Sequence, residues 1–327
     1  MQRQLTIGPL QLANNLILAP MAGITNGPMR LLARHYGASL CFTEMVSVNG
    51  LAHDGRKSLA LMASGPTDRP LGVQLFGDDP TLLAQAARTA GDYGDLVDIN
   101  MGCPVRKVVN SGAGSALLRD TGKIATIVRA VRRATDLPFT VKIRSGWQAG
   151  DRTFLEVARI AEAEGCDAIT LHPRSRCQMF DGTADWSQIA ELKQQVRIPV
   201  LGSGDLFTPR AVTAMLAESG CDGAMIARGA MGNPWIFREA LQIMAGEEPS
   251  LPSTEERLQV ALQHLEAFIA LAGERVAVRE MRKHLCWYAK GLPGASRFRD
   301  LVNRIEDRKQ LIAEVCNFFM RKGTWAD

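Results

Sequence analysis

Three features of the sequence predict an α/β protein, a (β/α)8 TIM barrel followed by a C-terminal all-helical domain. Eight short apolar runs recur along the chain, amphipathic stretches separate them, and residues 254–322 contain no strand-like run. The runs are nearly continuous in apolar character, as expected for parallel strands whose outer faces are covered by helices. Eight strand–helix units in succession favour a closed barrel over an open sheet. The predicted strands cover residues 16–21, 39–44, 71–77, 96–100, 139–143, 168–172, 198–201 and 223–227.

The amphipathic stretches predict the helices that cover the barrel. Gly, Pro and Asp residues occur at the joins, where they end one element and begin the next. The barrel pattern ends near Gly246, and Glu-Glu-Pro-Ser-Leu-Pro at 247–252 is typical of a linker because proline cannot continue a helix. The sequence therefore predicts a barrel domain, residues 1–246, and a helical domain, residues 247–327. The predicted barrel helices include residues 81–93, 123–134, 152–164, 185–195 and 209–219.

Composition and length are those of a globular protein with a large core. The chain has 327 residues, of which 46% are apolar and 22% charged. Its N-terminus lacks the apolar run of a signal peptide, and no apolar stretch reaches the ~18 residues of a membrane helix, so we expect a cytoplasmic protein. The seven cysteines are odd in number and form no Cys-x-x-Cys pair, which disfavours a disulfide framework and a metal site. Cys166 and Cys221 each precede a strand-like run and are predicted to be buried.

Polar residues stand at the carboxyl ends of nearly all the predicted strands. Barrel enzymes carry their catalytic groups at these ends. One such residue could be a satisfied core group, but a ring of them implies a ligand or a dense mutual network, because an unpaired buried polar group costs free energy. The ring contains Glu44, Gln74, Asn100, Cys103, Lys142, Arg144, His172, Arg174, Ser203, Asp205 and Arg228.

Glycine-rich turns follow the seventh and eighth predicted strands. Barrels often bind phosphate at this place through backbone N–H groups, and glycine allows a close approach. Gly204 and Gly229 lie in the two turns, and Arg228 could supply the counter-charge. Together the turns predict a bound phosphate group.

Lys142 is predicted to point into the mouth of the barrel, and three roles are open to it. It could form an ion pair with Glu44, or form a Schiff base as in barrel aldolases. It could also face the pyrimidine edge of a flavin, where the reduced ring gathers negative charge. The predicted phosphate site is compatible with the second and third roles.

Cys103 lies in a Gly-Cys-Pro turn directly after the fourth predicted strand. Gly102 and Pro104 fix a tight turn at the active face, which favours a function over a buried structural thiol. A free thiol has a pKa of about 8.5 and is mostly protonated at neutral pH. No histidine adjoins it in sequence to ionise it, so the thiol suits a proton donor better than a nucleophile. A spatial approach of His172 would blur that distinction.

Six segments of the chain resemble motifs of the tRNA-dihydrouridine synthase family, and the bacterial B type is the most similar. The resemblance runs from about residue 16 to the C-terminus, and Asn-x-Gly-Cys-Pro at 100–104 is its most specific part. It implies FMN as the cofactor, NADPH as the reductant and tRNA as the substrate. It also implies hydride transfer to C6, and proton transfer from Cys103 to C5, of a D-loop uridine (position 17 for the B type). The six segments are residues 19–25, 98–104, 112–118, 142–147, 171–176 and 232–237.

The resemblance also implies roles for individual residues. The isoalloxazine ring would lie along Pro20, Met21 and Ala22, with Gln74 and Lys142 at its polar edge and His172 nearby. Asn100 would orient the uracil beside Cys103. The ribityl phosphate would be held by Ser203, Gly204, Asp205, Ala227 and Arg228. Candidate contacts to the substrate or to a phosphate are Arg144, Arg174 and Arg176.

The chain departs from the family pattern at three of these places. The family usually has Asn at Ser203, Gly at Ala227 and Gly at Pro173. Backbone contacts can survive the first two changes, but a side-chain contact from Ser203 would be shorter or lost. Pro173 has no N–H group, so a backbone donor expected there is absent.

The helical domain is locally basic. Residues 275–309 contain ten Lys or Arg residues against four Asp or Glu residues. At ~100° per residue, one face of a helix over 275–290 is basic and another is apolar. A basic face of this kind could follow RNA phosphates, so we predict tRNA contacts at Arg279, Arg282 and Lys283. The basic face contains Arg275, Arg279, Arg282, Lys283 and Lys290, and the apolar face contains Val278, Met281, Leu285 and Tyr288.

Three alternatives to a tRNA-dihydrouridine synthase remain open at this point. A small-molecule flavoenzyme, such as a dihydroorotate or dihydropyrimidine dehydrogenase, shares the hydride chemistry but has no use for a basic helical domain. A Schiff-base aldolase would use Lys142 and would be colourless. A non-catalytic RNA-binding protein would not need Cys103 and Lys142. No interface signature stands out, so we expect a monomer.

Overall fold

The computed structural model of the chain describes residues 4–53 and 55–320. Its first two strands, β1 (Leu5–Ile7) and β2 (Leu10–Leu12), form an antiparallel hairpin. Eight parallel strands then close into a barrel in chain order, because the first of them pairs with both the second and the eighth. The barrel strands are β3 (Leu16–Leu18), β4 (Leu40–Phe42), β6 (Leu71–Phe76), β7 (Leu96–Met101), β8 (Phe139–Arg144), β9 (Ala168–His172), β10 (Val200–Gly202) and β11 (Gly223–Ile226), and β5 (Val46–Ser47) adds a short pairing to β6.

The predicted (β/α)8 architecture is confirmed, and each of the eight predicted strands overlaps one barrel strand. The sequence does not predict the hairpin or β5. The sequences of these three strands, Leu-Thr-Ile, Leu-Gln-Leu and Val-Ser, are not continuous apolar runs, which is the pattern that predicts the barrel strands.

Side chains on the barrel strands alternate between the barrel interior and the surrounding helices. Leu16 and Leu18 pack outward in the large core beneath the helices, whereas Ile17 packs inward with Leu5 and Ile7 of the hairpin. The hairpin therefore closes the N-terminal end of the barrel with apolar side chains. Further inward members of this cluster are Leu12, Leu40, Phe42, Leu96, Ala168, Leu201 and Met225.

Helices surround the barrel, and several begin at a side chain that caps their first N–H groups. Asp79 and Asp120 accept hydrogen bonds from the first turns of α4 (Pro80–Ala90) and α6 (Thr121–Arg132), as Asn26 does for α1 (Gly27–His35). The predicted helical segments each overlap one of α4 and α6–α9. The helices of the barrel domain are α1 (Gly27–His35), α2 (Val48–His53), α3 (Arg56–Met62), α4 (Pro80–Ala90), α5 (Arg106–Val109), α6 (Thr121–Arg132), α7 (Thr153–Ala163), α8 (Ser187–Gln195), α9 (Pro209–Ser219) and α10 (Ile236–Ala245).

Within the described residues four helices follow the barrel, and their apolar core also includes Leu32, Tyr36 and Trp235 of the barrel domain. Gly246 ends α10 in a left-handed conformation (φ 82°), and Ser253 caps the next helix. Residues 321–327 of the predicted helical domain lie outside the described residues. The helices are α11 (Thr254–Ala272), α12 (Glu274–Tyr288), α13 (Ala295–Val302) and α14 (Arg308–Met320), and their core includes Val260, Leu265, Val278, Met281, Leu285, Tyr288, Phe298, Val302, Leu311 and Val315.

The helical domain contacts the barrel through a half-buried polar junction. The Glu256 carboxylate accepts hydrogen bonds from Trp235 Nε1 (2.7 Å), Arg238 (2.8 Å) and the Tyr36 hydroxyl (3.1 Å). Tyr36 directly follows α1, and Trp235 and Arg238 lie around the start of α10, so α11 is fixed beside the first and last units of the barrel. This position places α12 next to the carboxyl end of the barrel.

No helix within residues 4–53 and 55–320 is long and apolar enough to cross a membrane. Cys166 and Cys221 are buried, as predicted.

Candidate active site

A cavity of about 400 Å³ opens at the carboxyl ends of the barrel strands. Most of the sequence-predicted ring converges on it, because alternate residues of every strand point into the barrel. Predicted site residues that line the cavity are Pro20, Met21, Ala22, Asn100, Cys103, Lys142, Arg144, His172, Ser203, Gly204, Asp205, Ala227 and Arg228.

Beneath the cavity a chain of hydrogen bonds runs across the neighbouring strands β6, β7 and β8, and we call Gln74, Asp98, Asn100 and Thr140 the floor network. The Asp98 carboxylate accepts from the Thr140 hydroxyl (2.6 Å) and from Gln74 Nε2 (2.7 Å). Gln74 Oε1 accepts from Asn100 Nδ2 (2.9 Å). The strand register places Gln74 opposite Asp98 and Asp98 opposite Thr140, so the network follows from the pairing.

The floor network ends at the turn that holds Cys103. Asn100 Oδ1 accepts from the N–H groups of Gly102 (3.1 Å) and Cys103 (2.8 Å). From the other side, the Cys103 carbonyl accepts from the backbone N–H (3.1 Å) and the hydroxyl (3.0 Å) of Ser115. A Cβ atom on Gly114 would lie 2.7 Å from that carbonyl oxygen, so only glycine fits there. The turn is therefore held from both sides.

The Cys103 thiol is half-buried and faces the cavity. Burial raises its pKa, while a hydrogen bond from the Val105 backbone and the positive charges of Arg144 and Lys142 act in the opposite direction. The thiol is thus protonated at neutral pH and can donate a proton. The same donors and charges stabilise the thiolate that donation leaves behind.

Lys142 has no hydrogen-bond or ion-pair partner within the described residues. The ion pair with Glu44 that its sequence leaves open is not formed, because Glu44 accepts the Gly23 N–H group instead (2.5 Å). Burial and the nearby Arg144 lower the pKa of Lys142 to about 8. A half-buried ammonium without a partner, facing a cavity, is a group that a bound ligand can satisfy.

Arg174, a predicted candidate for contacts to the substrate or to a phosphate, does not line the cavity, and its guanidinium is engaged within the protein. Its guanidinium donates to both oxygens of Asp205 (2.9 and 2.7 Å), to the carbonyls of Asp181 and Gly182, and faces His172 Nε2 at 3.3 Å. All five N–H groups are therefore occupied within the protein. Arg174 instead joins the loop after β9 to the loop after β10.

The contacts of Arg174 limit what Asp205 and His172 can do in the cavity. The Asp205 carboxylate also accepts the Ala184 N–H (2.7 Å), so its side chain belongs to this loop junction. Burial, with the positive charges of Lys142 and Arg144, lowers the pKa of His172 well below its usual value. His172 is therefore a neutral imidazole in the cavity wall, and it is unsuited to ionise a thiol.

Three further predicted residues are either outside the cavity lining or already bonded within the protein. Gln74 is fully buried in the floor network and does not line the cavity. Arg144 lines the cavity but gives two donors to the carbonyls of Ser175 (2.9 Å) and Met179 (2.7 Å). Arg176 lies outside the lining, with its guanidinium 4.7 Å from the Trp147 ring.

The basic face of α12 divides into two parts. Arg279 is exposed, and it has no acidic partner within the described residues. Arg282 is half-buried, donates to the Ile305 carbonyl and lies 3.8 Å from Glu306. Lys283 pairs with Glu280 (2.5 Å), and its Nζ is 3.6 Å from where a Cβ atom of Gly23 would be. The helix therefore borders the β3–α1 loop, which lines the cavity.

Sequence reasoning missed several cavity residues. It also missed Asp98 of the floor network, which carries a signal, because it lies two residues before Asn100 and so points to the same side of β7. Phe180 and Phe207 carry none, since an aromatic residue in a loop is compatible with many roles. Other lining residues not predicted are Ile24, Met45, Leu206 and Met231.

The residues present fit an FMN. Pro20, Met21 and Ala22 form an apolar stretch suited to a flat ring, and Lys142 is a free cation for its polar edge. Within the described residues the N–H groups of Gly204 and Asp205 donate to no acceptor, so they are available to a phosphate beside Arg228. Gly204 has φ +110°, and a Cβ atom there would lie 2.8 Å from Ala184. Ala227 has a negative φ, so alanine is accommodated at this departure from the family pattern.

The chain is similar to known proteins over nearly its full length. The family model described as dihydrouridine synthase matches residues 17–322. The chain is 42% identical over 319 residues to tRNA-dihydrouridine synthase B of Pseudomonas aeruginosa, covering 97% of this chain and 96% of that protein. It is 43% identical over 318 residues to tRNA-dihydrouridine synthase B of Xanthomonas campestris pv. campestris, covering 96% and 95%.

Two solved structures share the fold at low sequence identity. Histamine dehydrogenase from Rhizobium sp. 4-9 is 13% identical with a TM-score of 0.58, and the match covers 80% of this chain and 50% of that one. A variant of NCR from Zymomonas mobilis is 15% identical with a TM-score of 0.54, covering 77% and 93%. At such identities the likeness concerns the fold alone.

Proposed function

The chain belongs to the dihydrouridine synthase family, and from that premise we propose that it uses FMN and NADPH to reduce a D-loop uridine of tRNA, with Cys103 as the proton donor. Its family makes it a flavin-dependent oxidoreductase with tRNA-dihydrouridine synthase activity. The proposal concerns the identity of the flavin, the reductant, the uridine and the acid.

The observation that carries the proposal is that one cavity holds the protonated thiol of Cys103 and the ammonium of Lys142, which has no partner within the described residues. Cys103 and Lys142 both line it, and neither is neutralised by an acidic side chain within the described residues. A small-molecule reductase could share this pair, but the basic α12 beside the cavity favours a polyanionic substrate.

Each part of the cavity has a task in this proposal. FMN would be held by Pro20–Ala22 along its ring, by Lys142 at its polar edge and by Gly204, Asp205 and Arg228 at its phosphate. When bound and reduced, it supplies the hydride that uracil C6 accepts. Lys142 carries a positive charge below its pKa of about 8, so it favours the cofactor state in which negative charge has gathered at that edge.

Cys103 completes the reduction by protonating C5. Hydride addition at C6 moves the electrons of the double bond towards C5 and the C4 carbonyl, and the thiol proton then forms the new C5–H bond. The resulting thiolate is stabilised by the Val105 N–H group and by Arg144 and Lys142, and it regains a proton from solvent. Asn100 acts beneath this step: its Oδ1 holds the Cys103 turn, so it positions the acid.

The first test is a visible absorption spectrum of the purified protein, followed by NADPH without oxygen. We expect flavin bands that bleach on addition of NADPH and return when unmodified tRNA is added. Bleaching with NADPH and no return with any unmodified tRNA would contradict the proposed substrate. Absence of flavin after reconstitution with FMN would contradict the cofactor.

A further inference from the structure

Two phenylalanine rings stand exposed at the mouth of the cavity. Phe180 lies in the loop after β9, Phe207 lies in the loop after β10, and each side chain is 47% exposed. Both also line the cavity. Exposed large apolar residues need no explanation singly, but two that flank one substrate cavity mark a contact surface.

Arg228 holds the two rings together. Its guanidinium carbon is 4.6 Å from the centre of the Phe180 ring and 4.9 Å from the centre of the Phe207 ring. The guanidinium carbon of Arg144, on β8, lies 5.4 Å from the centre of the Phe180 ring. Cation–π contacts at these distances favour one arrangement of rings and guanidinium, even though the rings are half in solvent.

The loops that carry the rings are fixed to each other. Arg174 joins Asp205 to the carbonyls of Asp181 and Gly182, and Trp186 Nε1 donates to the Gly204 carbonyl (3.0 Å). Arg144 donates to the Met179 carbonyl directly before Phe180. The exposed rings therefore stand on a rigid support, which lowers the entropy cost of binding a flat partner.

A uridine that enters the cavity leaves unstacked neighbours behind. Removing a base from its stack costs a few kcal/mol, and proteins that bind unpaired RNA recover this by stacking bases on aromatic rings and arginine planes. The cavity, about 400 Å³ in volume, lies directly behind the two rings. Resting on the function proposed above, we propose that Phe180 and Phe207 form a stacking platform for a nucleobase adjacent to the target uridine in tRNA.

The test compares ring removal with loss of apolar area alone, using oxidised FMN-bound protein and an unmodified tRNA transcript in a filter-binding assay. We expect Phe180→Ala and Phe207→Ala each to weaken tRNA binding by about tenfold. Phe180→Leu and Phe207→Leu should weaken tRNA binding nearly as much as the alanine changes. Phe180→Trp, which keeps an aromatic ring, should retain the tRNA binding of the wild type. Leu271→Ala, which removes an exposed apolar side chain in α11, is the matched control and should change nothing.

Two further measurements separate the platform from other occupants. The rate of flavin reduction by NADPH without tRNA should be the same in all variants. FMN affinity should change much less than tRNA affinity, because Arg228 keeps its charge beside the phosphate when a ring is removed. A loss of FMN affinity as large as the loss of tRNA affinity would assign the rings to the cofactor, and slower reduction would assign them to the nicotinamide nucleotide. Either result, unchanged tRNA binding, or full tRNA binding by the leucine variants would overturn the proposal. Binding is measured without turnover, so wild-type protein that binds tRNA but does not reduce it would contradict the proposed function alone.

Discussion

The floor network and the cavity wall above it both carry polar side chains but differ in how these groups are satisfied. Below, the Asp98 carboxylate and the Gln74 amide are bonded to other side chains of the barrel. Above, Lys142 has no partner within the described residues. Arg228 has a long ion pair with Asp205, at 3.7 Å. Buried polar groups that satisfy one another position a site, and those left over face its ligands.

The largest effect on activity is expected at Cys103, the proposed proton donor in the cavity wall. Cys103→Ala should lower turnover of tRNA by about 10²–10⁴-fold, because no other proton donor replaces the thiol at C5. FMN affinity and flavin reduction by NADPH should stay unchanged. Cys177→Ala is the control, since Cys177 is exposed and outside the cavity. Equal turnover of the two variants would remove Cys103 from the mechanism.

The next effect concerns the floor network. Asp98→Ala leaves Gln74 and Thr140 buried without their acceptor and should lower the free energy of unfolding by about 3 kcal/mol in urea. Asp98→Asn keeps an acceptor for Gln74 and should cost about 1 kcal/mol. Burial raises the pKa of Asp98 to about 7, above its unfolded value, so wild-type stability should fall relative to Asp98→Asn as pH rises from about 4 to 7. Parallel pH profiles would contradict this assignment.

Lys142 provides a smaller, pH-dependent effect in the wall. FMN affinity of the wild type should fall by up to about tenfold for each pH unit above the Lys142 pKa of about 8, because the ammonium loses its charge. Lys142→Met should bind FMN more weakly and without this slope, measured by fluorescence titration. If both proteins show the same slope, another group titrates and Lys142 does not contact the polar edge.

The smallest effect separates the two kinds of arginine on α12. Arg279→Glu should weaken tRNA binding a few-fold and reduce its salt slope by about 1, because one phosphate contact is lost. Arg282→Glu should mainly lower stability, since Arg282 donates to the Ile305 carbonyl. Arg133→Glu makes the same charge change at the opposite end of the barrel and is the control. Equal tRNA affinity of the Arg279 and Arg133 variants would contradict the RNA-binding role.

The comparison also shows what the sequence could and could not predict. The strands and most cavity residues follow from apolar runs and from the polar residues that end them. The partners of those residues do not follow: Arg174 and Asp205 come from different loops, and no local pattern indicates that they neutralise each other. Arg282 lies on the predicted basic face of its helix, yet the turn before α14 supplies the carbonyl that engages it.

The hairpin of β1 and β2 has a consequence for the order of the reaction. Leu5, Ile7 and Leu12 fill the N-terminal end of the barrel, so within the described residues the cavity opens at the carboxyl end alone. In the function proposed above, NADPH and the tRNA uridine would reach the flavin through this one opening, one after the other. Such sharing gives ping-pong kinetics, with parallel double-reciprocal lines and each substrate acting as a competitive inhibitor of the other at high concentration.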